Sequence, residues 1–261
     1  MGTSTSNRGQ NGKTPLVPSW LDEGQNSEPQ ENPAQVDPKR FSAPRSNFTR
    51  YVNSEGGGSG NLRRAASGYV RQSLGGSKNA TARLGAAKAS TARLVSVLGG
   101  FASQGISETS KNYHLGELVG KNAKEVFLRL LDYVCPDGGN TDEGIARNAY
   151  IEALSTLSDW ENKPIESLTP AEFLAFTEIY MANVIEERLV NDIGSKLFSL
   201  PKDVSTIENL QSQLKDYIRG AVTDAIAKLN VEMKNINTLQ TRRIVDAVYH
   251  ETYNILAGME E

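Results

Sequence analysis

The sequence predicts an all-α fold, a helical bundle of about six to eight helices behind a long disordered N-terminal tail. Apolar residues recur at spacings of three and four along most of the chain after residue 61, and helix-start signals precede several of these stretches. No alternating strand pattern with a hairpin turn occurs. With 261 residues, of which 38% are hydrophobic and 23% charged, the chain can bury a core.

Residues 1–60 have the composition of a disordered tail. Six of the ten prolines lie between positions 15 and 44, among Gln, Asn, Ser and Glu, so this segment has too little apolar area to offset the entropy lost on ordering. A short island with aromatic residues, positions 41–51, also lies in this tail, and the glycine-rich run 56–60 supplies a flexible joint. We therefore expect a tail of residues 1–60 and a helical domain of residues 61–261.

The helical pattern of the domain divides into several elements. An apolar stripe over residues 126–134 ends at Cys135 and Pro136, which act as a helix stop. Two capping boxes, Thr169–Glu172 and Ser205–Glu208, predict the starts of two long helices. The other predicted helices run from Asn140 or Thr141 to Trp160 and over positions 239–256.

Charge is distributed along the chain in three blocks. Residues 1–55 are neutral overall, residues 56–107 carry seven basic and no acidic side chains, and residues 108–261 carry fifteen basic and twenty-five acidic ones. The first part of the helical domain, residues 61–107, is also rich in small side chains. Three interpretations stay open for this basic part: contact with phosphates, docking on the acidic remainder of the chain, or binding of an acidic partner. The candidate nucleic-acid-binding residues are Arg64, Arg71, Lys78, Arg83, Lys88 and Arg93.

No set of catalytic or metal-ligating residues emerges from the sequence. Cys135 closes an apolar helix face, so we interpret it as a core thiol in preference to a nucleophile with His114 as its base. The single cysteine and two histidines lack the close spacing of zinc ligands, and we predict no metal, no cofactor and no enzymatic activity. Adjacent acidic pairs such as Glu186 and Glu187 are interpreted as solvated faces.

Two further classes of function are disfavoured. The glycine runs at positions 56–60 and 75–78 lack the spacing of a phosphate loop and follow no predicted strand, so we interpret them as linkers or helix breaks. No apolar stretch approaches the roughly 20 residues that span a bilayer, and the N-terminus has no secretory signal. With only one cysteine, the chain is expected to be cytoplasmic.

A motif in the tail is the strongest candidate for partner binding. Residues 14–22 combine two prolines, which favour an extended conformer, with a tryptophan and a leucine that offer large apolar area. We favour insertion of this motif into a partner's groove, although folding back onto the chain's own helices stays open. The candidate partner-binding residues are Thr14, Pro15, Leu16, Val17, Pro18, Trp20 and Leu21.

The first residues form a separate candidate for modification. They match the N-myristoylation pattern, but a lipid-anchored protein requires a eukaryotic acyltransferase and is disfavoured. The more general feature is Gly2, which becomes the new terminus after removal of Met1. It ends a tail that is long enough to enter the active site of another protein.

Several blocks of the sequence form a specific combination that is spread over most of the chain. The blocks are residues 1–6 (MGTSTS), 14–23 (TPLVPSWLDE), 63–101, 135–147 (CPDGGNTDEGIAR) and 191–198 (NDIGSKLF). Together they resemble the QatB family of bacterial Qat antiphage defence systems. Residues 24–40 are similar only to a variable spacer, and after about residue 205 only helical character remains.

This resemblance implies a non-enzymatic subunit that works beside an ATPase (QatA), a QueC-like enzyme (QatC) and a TatD-like nuclease (QatD). QueC-like enzymes use ATP to activate the carboxylate of a deazaguanine base for attack by an amine. We therefore hypothesise that the tail binds QatC directly and presents Gly2 to it, as the amine or as a processed terminus. The alternative is a nucleic-acid-binding sensor subunit that uses residues 61–107.

Overall fold

The described residues form ten α-helices and no strand, apart from one isolated bridge between Asn122 and Pro164, which confirms the all-α prediction. The computed structural model describes residues 37–55, 57–136, 139, 141–157, 162–194, 203–236 and 240–258. The helices are α1 (Ser42–Asn53), α2 (Ser59–Gly68), α3 (Ser77–Ala82), α4 (Gly85–Gln104), α5 (Ile106–Asn112), α6 (Ala123–Val134), α7 (Thr141–Ser155), α8 (Pro170–Ile193), α9 (Val204–Lys228) and α10 (Thr241–Leu256).

The number of helices exceeds the prediction because glycines divide the small-residue-rich part of the chain. Gly76, with φ of 95°, precedes α3, and Gly105, with φ of 86°, precedes α5. Both values lie in the left-handed region that residues with a Cβ avoid, so the helices break there. A π-helical turn, Tyr69–Ser73, extends α2 as far as this first break.

Helix α1 belongs to the helical body, so the predicted boundary at residue 60 is wrong. The compact helical unit begins at Pro38. Phe48, Tyr51 and Val52 lie on one face of α1 at helical spacing and are fully buried, and the Tyr51 hydroxyl donates to the Leu210 carbonyl at 2.8 Å. The sequence analysis did not assign this short apolar face to the helical body, because most of the first sixty residues are polar.

Helix α8 forms the centre of the body, where α4, α7 and α9 pack against it. Its aromatic side chains contact those of the neighbouring helices. The ring centroids of Phe127 and Phe176 are 4.2 Å apart, and those of Tyr150 and Tyr180 are 5.6 Å apart. The buried hydroxyl of Tyr150 donates to the Phe127 carbonyl at 2.9 Å, so the polar group of this ring is satisfied within the core.

The helix termini agree with the sequence signals at most positions. The capping box of Thr169 and Glu172 is present at the start of α8, and α6 ends at Val134 as predicted. The second predicted capping box, which begins at Ser205, is wrong. The N-cap of α9 is Asp203, whose carboxylate accepts from the Thr206 backbone N–H at 2.9 Å.

Candidate functional site

A groove on the surface of the helical body collects arginine side chains. It has a volume of about 960 Å³ and lies between α1, α2, α9 and the end of α10. Among the residues that the structure describes, those that line it include no aspartate or glutamate, although α9 and α10 come from the acidic block of the sequence. Its polar side chains include those of Arg63, Arg64, Arg71, Asn47, Gln72 and Tyr217.

Helix α2 presents one whole face to this groove. Positions 60, 63, 64, 67, 68, 71 and 72 line it, and their spacing of three and four places them on the same side of the helix and its π-helical turn. The opposite face buries Leu62, Ala65 and Tyr69. A Cβ at Gly68 would lie 3.3 Å from Cγ of Pro44, so the absence of a side chain there lets α1 pack closely beside the arginines.

Two of the three arginines are hydrogen-bonded to neutral groups. Nη2 of Arg64 donates to Oδ1 of Asn61 at 3.0 Å, and Nη2 of Arg71 donates to the Gly258 carbonyl at 3.2 Å. Burial raises the pKa of Tyr217, and the charge of Arg63 opposes this rise. In the part of the chain that the structure describes, no carboxylate forms an ion pair with these guanidinium groups. The groove therefore has positive charge that none of the described carboxylates neutralises through an ion pair.

The structure brings together only two of the six predicted nucleic-acid-binding residues. Arg64 and Arg71 line the groove, whereas Lys78 and Arg83 are exposed outside it. Arg63 completes the groove and was missed by the sequence analysis. Its spacing of four from Ser67 and eight from Arg71 could have placed it on the same face.

Lys88 and Arg93 make contacts within the chain instead. Nζ of Lys88 forms an ion pair with Oδ1 of Asp246 at 2.7 Å, which confirms docking on the acidic block for this one residue. Nε of Arg93 donates to the Val134 carbonyl at 2.9 Å, and its Nη2 donates to Oγ of Ser90. Arg93 thus satisfies a carbonyl at the C-terminal end of α6.

The candidates in the tail lie outside the described residues. This holds for the modification candidate Gly2 and for the partner-binding motif. The structure therefore leaves both as predictions. The motif residues concerned are Thr14, Pro15, Leu16, Val17, Pro18, Trp20 and Leu21.

Cys135 has the environment of a core thiol. It is only 2% exposed, and its Sγ lies 3.5 Å from the Tyr180 hydroxyl and 3.5 Å from the Ala146 carbonyl. Burial raises the pKa of this thiol, which disfavours the reactive thiolate. His114 is exposed on the loop after α5, so the structure supports the interpretation of Cys135 as a core residue.

Glu186 is a buried carboxyl group that the sequence analysis placed on a solvated face, and that interpretation is wrong for this residue. It is 7% exposed, and its Oε2 has no hydrogen-bond partner. A cavity of about 160 Å³ between α7, α8 and α9 lies beside it, lined also by the ion pair of Lys215 and Glu152. Burial raises the pKa of Glu186 to about 8.

The described segments contain no group of three or more His, Cys, Asp or Glu residues arranged to hold a metal ion. None of the helices there is both long and apolar enough to cross a bilayer.

A comparison with protein-family models identifies the family. The family described as Qat anti-phage system associated protein QatB matches residues 75–256. The chain belongs to the QatB family. QatB membership makes this chain a component of an anti-phage defence system, and it confirms the resemblance seen in the sequence blocks. No curated protein and no solved structure matched the chain.

The QatB match covers most of the helical body. It includes the blocks at 135–147 and 191–198, and it continues to residue 256, beyond position 205 where the sequence showed only helical character. Arg63, Arg64 and Arg71 precede the matched range, as does the tail motif. The family match therefore assigns no function to the groove arginines or to the tail.

Proposed function

We propose that this QatB chain is a non-enzymatic, cytoplasmic subunit that binds the QueC-like component of its system through the tail motif and delivers Gly2 to that enzyme. The observation that supports this proposal best is that the thiol and several tyrosine hydroxyls of the described body are buried in its core. Its single thiol is buried with a raised pKa, and its buried tyrosines pack in the core, several of them with hydroxyls bonded to backbone or core groups. A body of this kind is suited to carrying a binding element. The QatA ATPase and the TatD-like nuclease QatD would be further components of the same system.

The length of the tail is sufficient for the motif at residues 14–22 to be bound by the partner while Gly2 enters its active site. Twelve peptide units separate Gly2 from Thr14, and an extended chain of that length reaches about 40 Å. With Trp20 and Leu21 held in a groove of the partner, Gly2 would be confined near the enzyme at a high effective concentration. After removal of Met1, the amine of Gly2 would attack the activated carboxylate of the deazaguanine base. An amide bond would form, and the activating group and a proton would be released.

Replacing the apolar anchor tests the docking step. We expect Trp20→Ala with Leu21→Ala in the full chain to lower co-purification with the QueC-like protein by more than about tenfold, because buried aromatic anchors dominate such interfaces. A matched control, Gln25→Ala with Asn26→Ala, changes two polar residues of the same tail and should bind normally. Full-strength association of the Trp20 and Leu21 variant would contradict docking through this motif.

A second candidate function, nucleic-acid sensing by residues 61–107, is supported for part of that segment only. Arg64 and Arg71 line the groove, whereas Lys88 and Arg93 make contacts within the chain. Charge reversal at Arg83, Lys88 and Arg93 would therefore disturb internal contacts and is a poor test of this function. Charge reversal of the arginines in the groove is a better test.

A further inference from the structure

We infer that the arginine-lined groove binds the phosphate backbone of a single-stranded nucleic acid. This inference is independent of the tail, since every residue that carries it belongs to the helical body. It rests on the charge of the groove, on the spacing of the arginines along α2 and its π-helical turn, and on the neutral side chains that line the groove. Arg63, Arg64 and Arg71 are its charged residues.

The charge of the groove is available to a ligand. Arg63, Arg64 and Arg71 are exposed, and no carboxylate among the described residues forms an ion pair with them. Lys88, from the same basic block, is by contrast paired with Asp246. Guanidinium groups bind phosphate oxygens through two parallel hydrogen bonds, which makes arginine well suited to such a surface.

The spacing of the arginines favours a chain of phosphates over a single one. Arg64 and Arg71 are seven residues apart on one face, which corresponds to about 10 Å along a helix. One nucleic-acid strand advances about 3.4 Å per nucleotide along a stacked helix, so the backbone positions of the two arginines span about three nucleotides. A volume of about 960 Å³ is large enough for several nucleotides.

The neutral lining suits a polymer with bases and sugars. Asn47 and Gln72 offer amide groups for hydrogen bonds, and the half-buried ring of Tyr217 offers a surface on which a base can stack. An acidic peptide whose side chains carry only carboxylates has no ring that could stack on Tyr217.

Fluorescence anisotropy with labelled 20-nucleotide single strands tests this inference on the full-length chain. We expect Arg63→Glu with Arg64→Glu to weaken binding more than about tenfold at 50 mM salt. The slope of log affinity against log salt should become shallower by about 1.4, since each phosphate contact on a single strand contributes about 0.7. Strands of DNA and of RNA, measured separately, identify the nucleic acid.

A matched variant distinguishes a groove from general positive charge. Lys78→Glu with Arg83→Glu makes the same charge change at exposed residues outside the groove and should alter binding less than about threefold. Far-UV circular dichroism checks that both variants are folded. The Trp20 and Leu21 variant should bind nucleic acid normally, which separates this site from tail docking.

Three outcomes would overturn the inference. The first is the absence of salt-sensitive binding by the unaltered chain. The second is an equal loss of affinity in both charge-reversal variants, which would indicate a diffuse surface effect. The third is tighter binding of a labelled polyglutamate peptide than of either nucleic acid, with the same dependence on Arg63 and Arg64, which would assign the groove to an acidic protein segment.

Discussion

A chain of residues 61–261 is expected to be far less stable than a chain of residues 38–261, because only the longer one contains α1. Phe48, Tyr51 and Val52 are fully buried in the common core, and Tyr51 is bonded to the Leu210 carbonyl of α9. Removing a single buried phenylalanine side chain costs about 3–5 kcal/mol, and a whole domain is stable by only about 5–15 kcal/mol. Urea denaturation followed by circular dichroism measures the difference.

Single substitutions in the full chain make the same test without truncation. Phe48→Ala should lower the free energy of unfolding by about 3–5 kcal/mol. Arg50→Ala, at an exposed position of the same helix, should change it by less than about 0.5 kcal/mol. Equal urea midpoints for residues 61–261 and 38–261 would show that α1 is not part of the folded body.

Glu186→Gln is expected to stabilise the protein at pH 8 and to leave its stability at pH 5 nearly unchanged. The pKa of Glu186 is raised to about 8 in the folded protein, mainly by burial, from its ordinary value of 4.5. Between these two values the folded state binds more protons than the unfolded state, so stability falls as the pH rises. The rise in the pKa of Glu186 from 4.5 to about 8 corresponds to a loss of at most about 5 kcal/mol in the free energy of unfolding, at about 1.4 kcal/mol for each pH unit.

The charged neighbours of Glu186 shift its pKa in opposite directions. The positive charge of Lys215 on α9 lowers its pKa, whereas the carboxylates of Glu152 on α7 and Glu187 on α8 raise it. Asp216 and Arg219 line the same cavity. Because all of these groups remain in the Glu186→Gln variant, the difference between the two proteins isolates the titration of Glu186.

Urea denaturation at several pH values between 5 and 9 measures this effect. Glu208→Gln, a matched change at an exposed position of α9, should follow the unaltered protein at every pH. A Glu186→Gln variant whose stability declines with pH in parallel with the unaltered protein would show that Glu186 is ionised throughout.

Local signals in the sequence were sufficient at two helix ends, where the structure depends on neighbouring residues. The capping box of Thr169 and Glu172 and the helix stop after Val134 are of this kind. The N-cap of α9 was misplaced by two residues because Asp203 offers a carboxylate just ahead of the predicted Ser205. Phe48, Tyr51 and Val52 had the spacing of a buried helix face, but the surrounding prolines and polar residues outweighed it.

Contacts between distant segments could not be predicted from these patterns. The spacing of Arg64 and Arg71 indicated a shared face, yet Tyr217, on the opposite wall of the groove, is more than 140 residues away in the sequence. The same holds for Lys88, whose partner Asp246 lies on α10. Burial of Glu186 depends on how α7 and α9 cover α8, which the local pattern of one helix does not specify.

The intact mass of the full-length chain, made with and without the QueC-like partner, tests the delivery of Gly2 most directly. We expect loss of Met1 in both samples, and a further mass increase confined to the N-terminal peptide when the partner is present. The Trp20 and Leu21 variant should lack that increase. A chain that shows no change beyond the loss of Met1, although the partner is active and bound, would contradict delivery of Gly2.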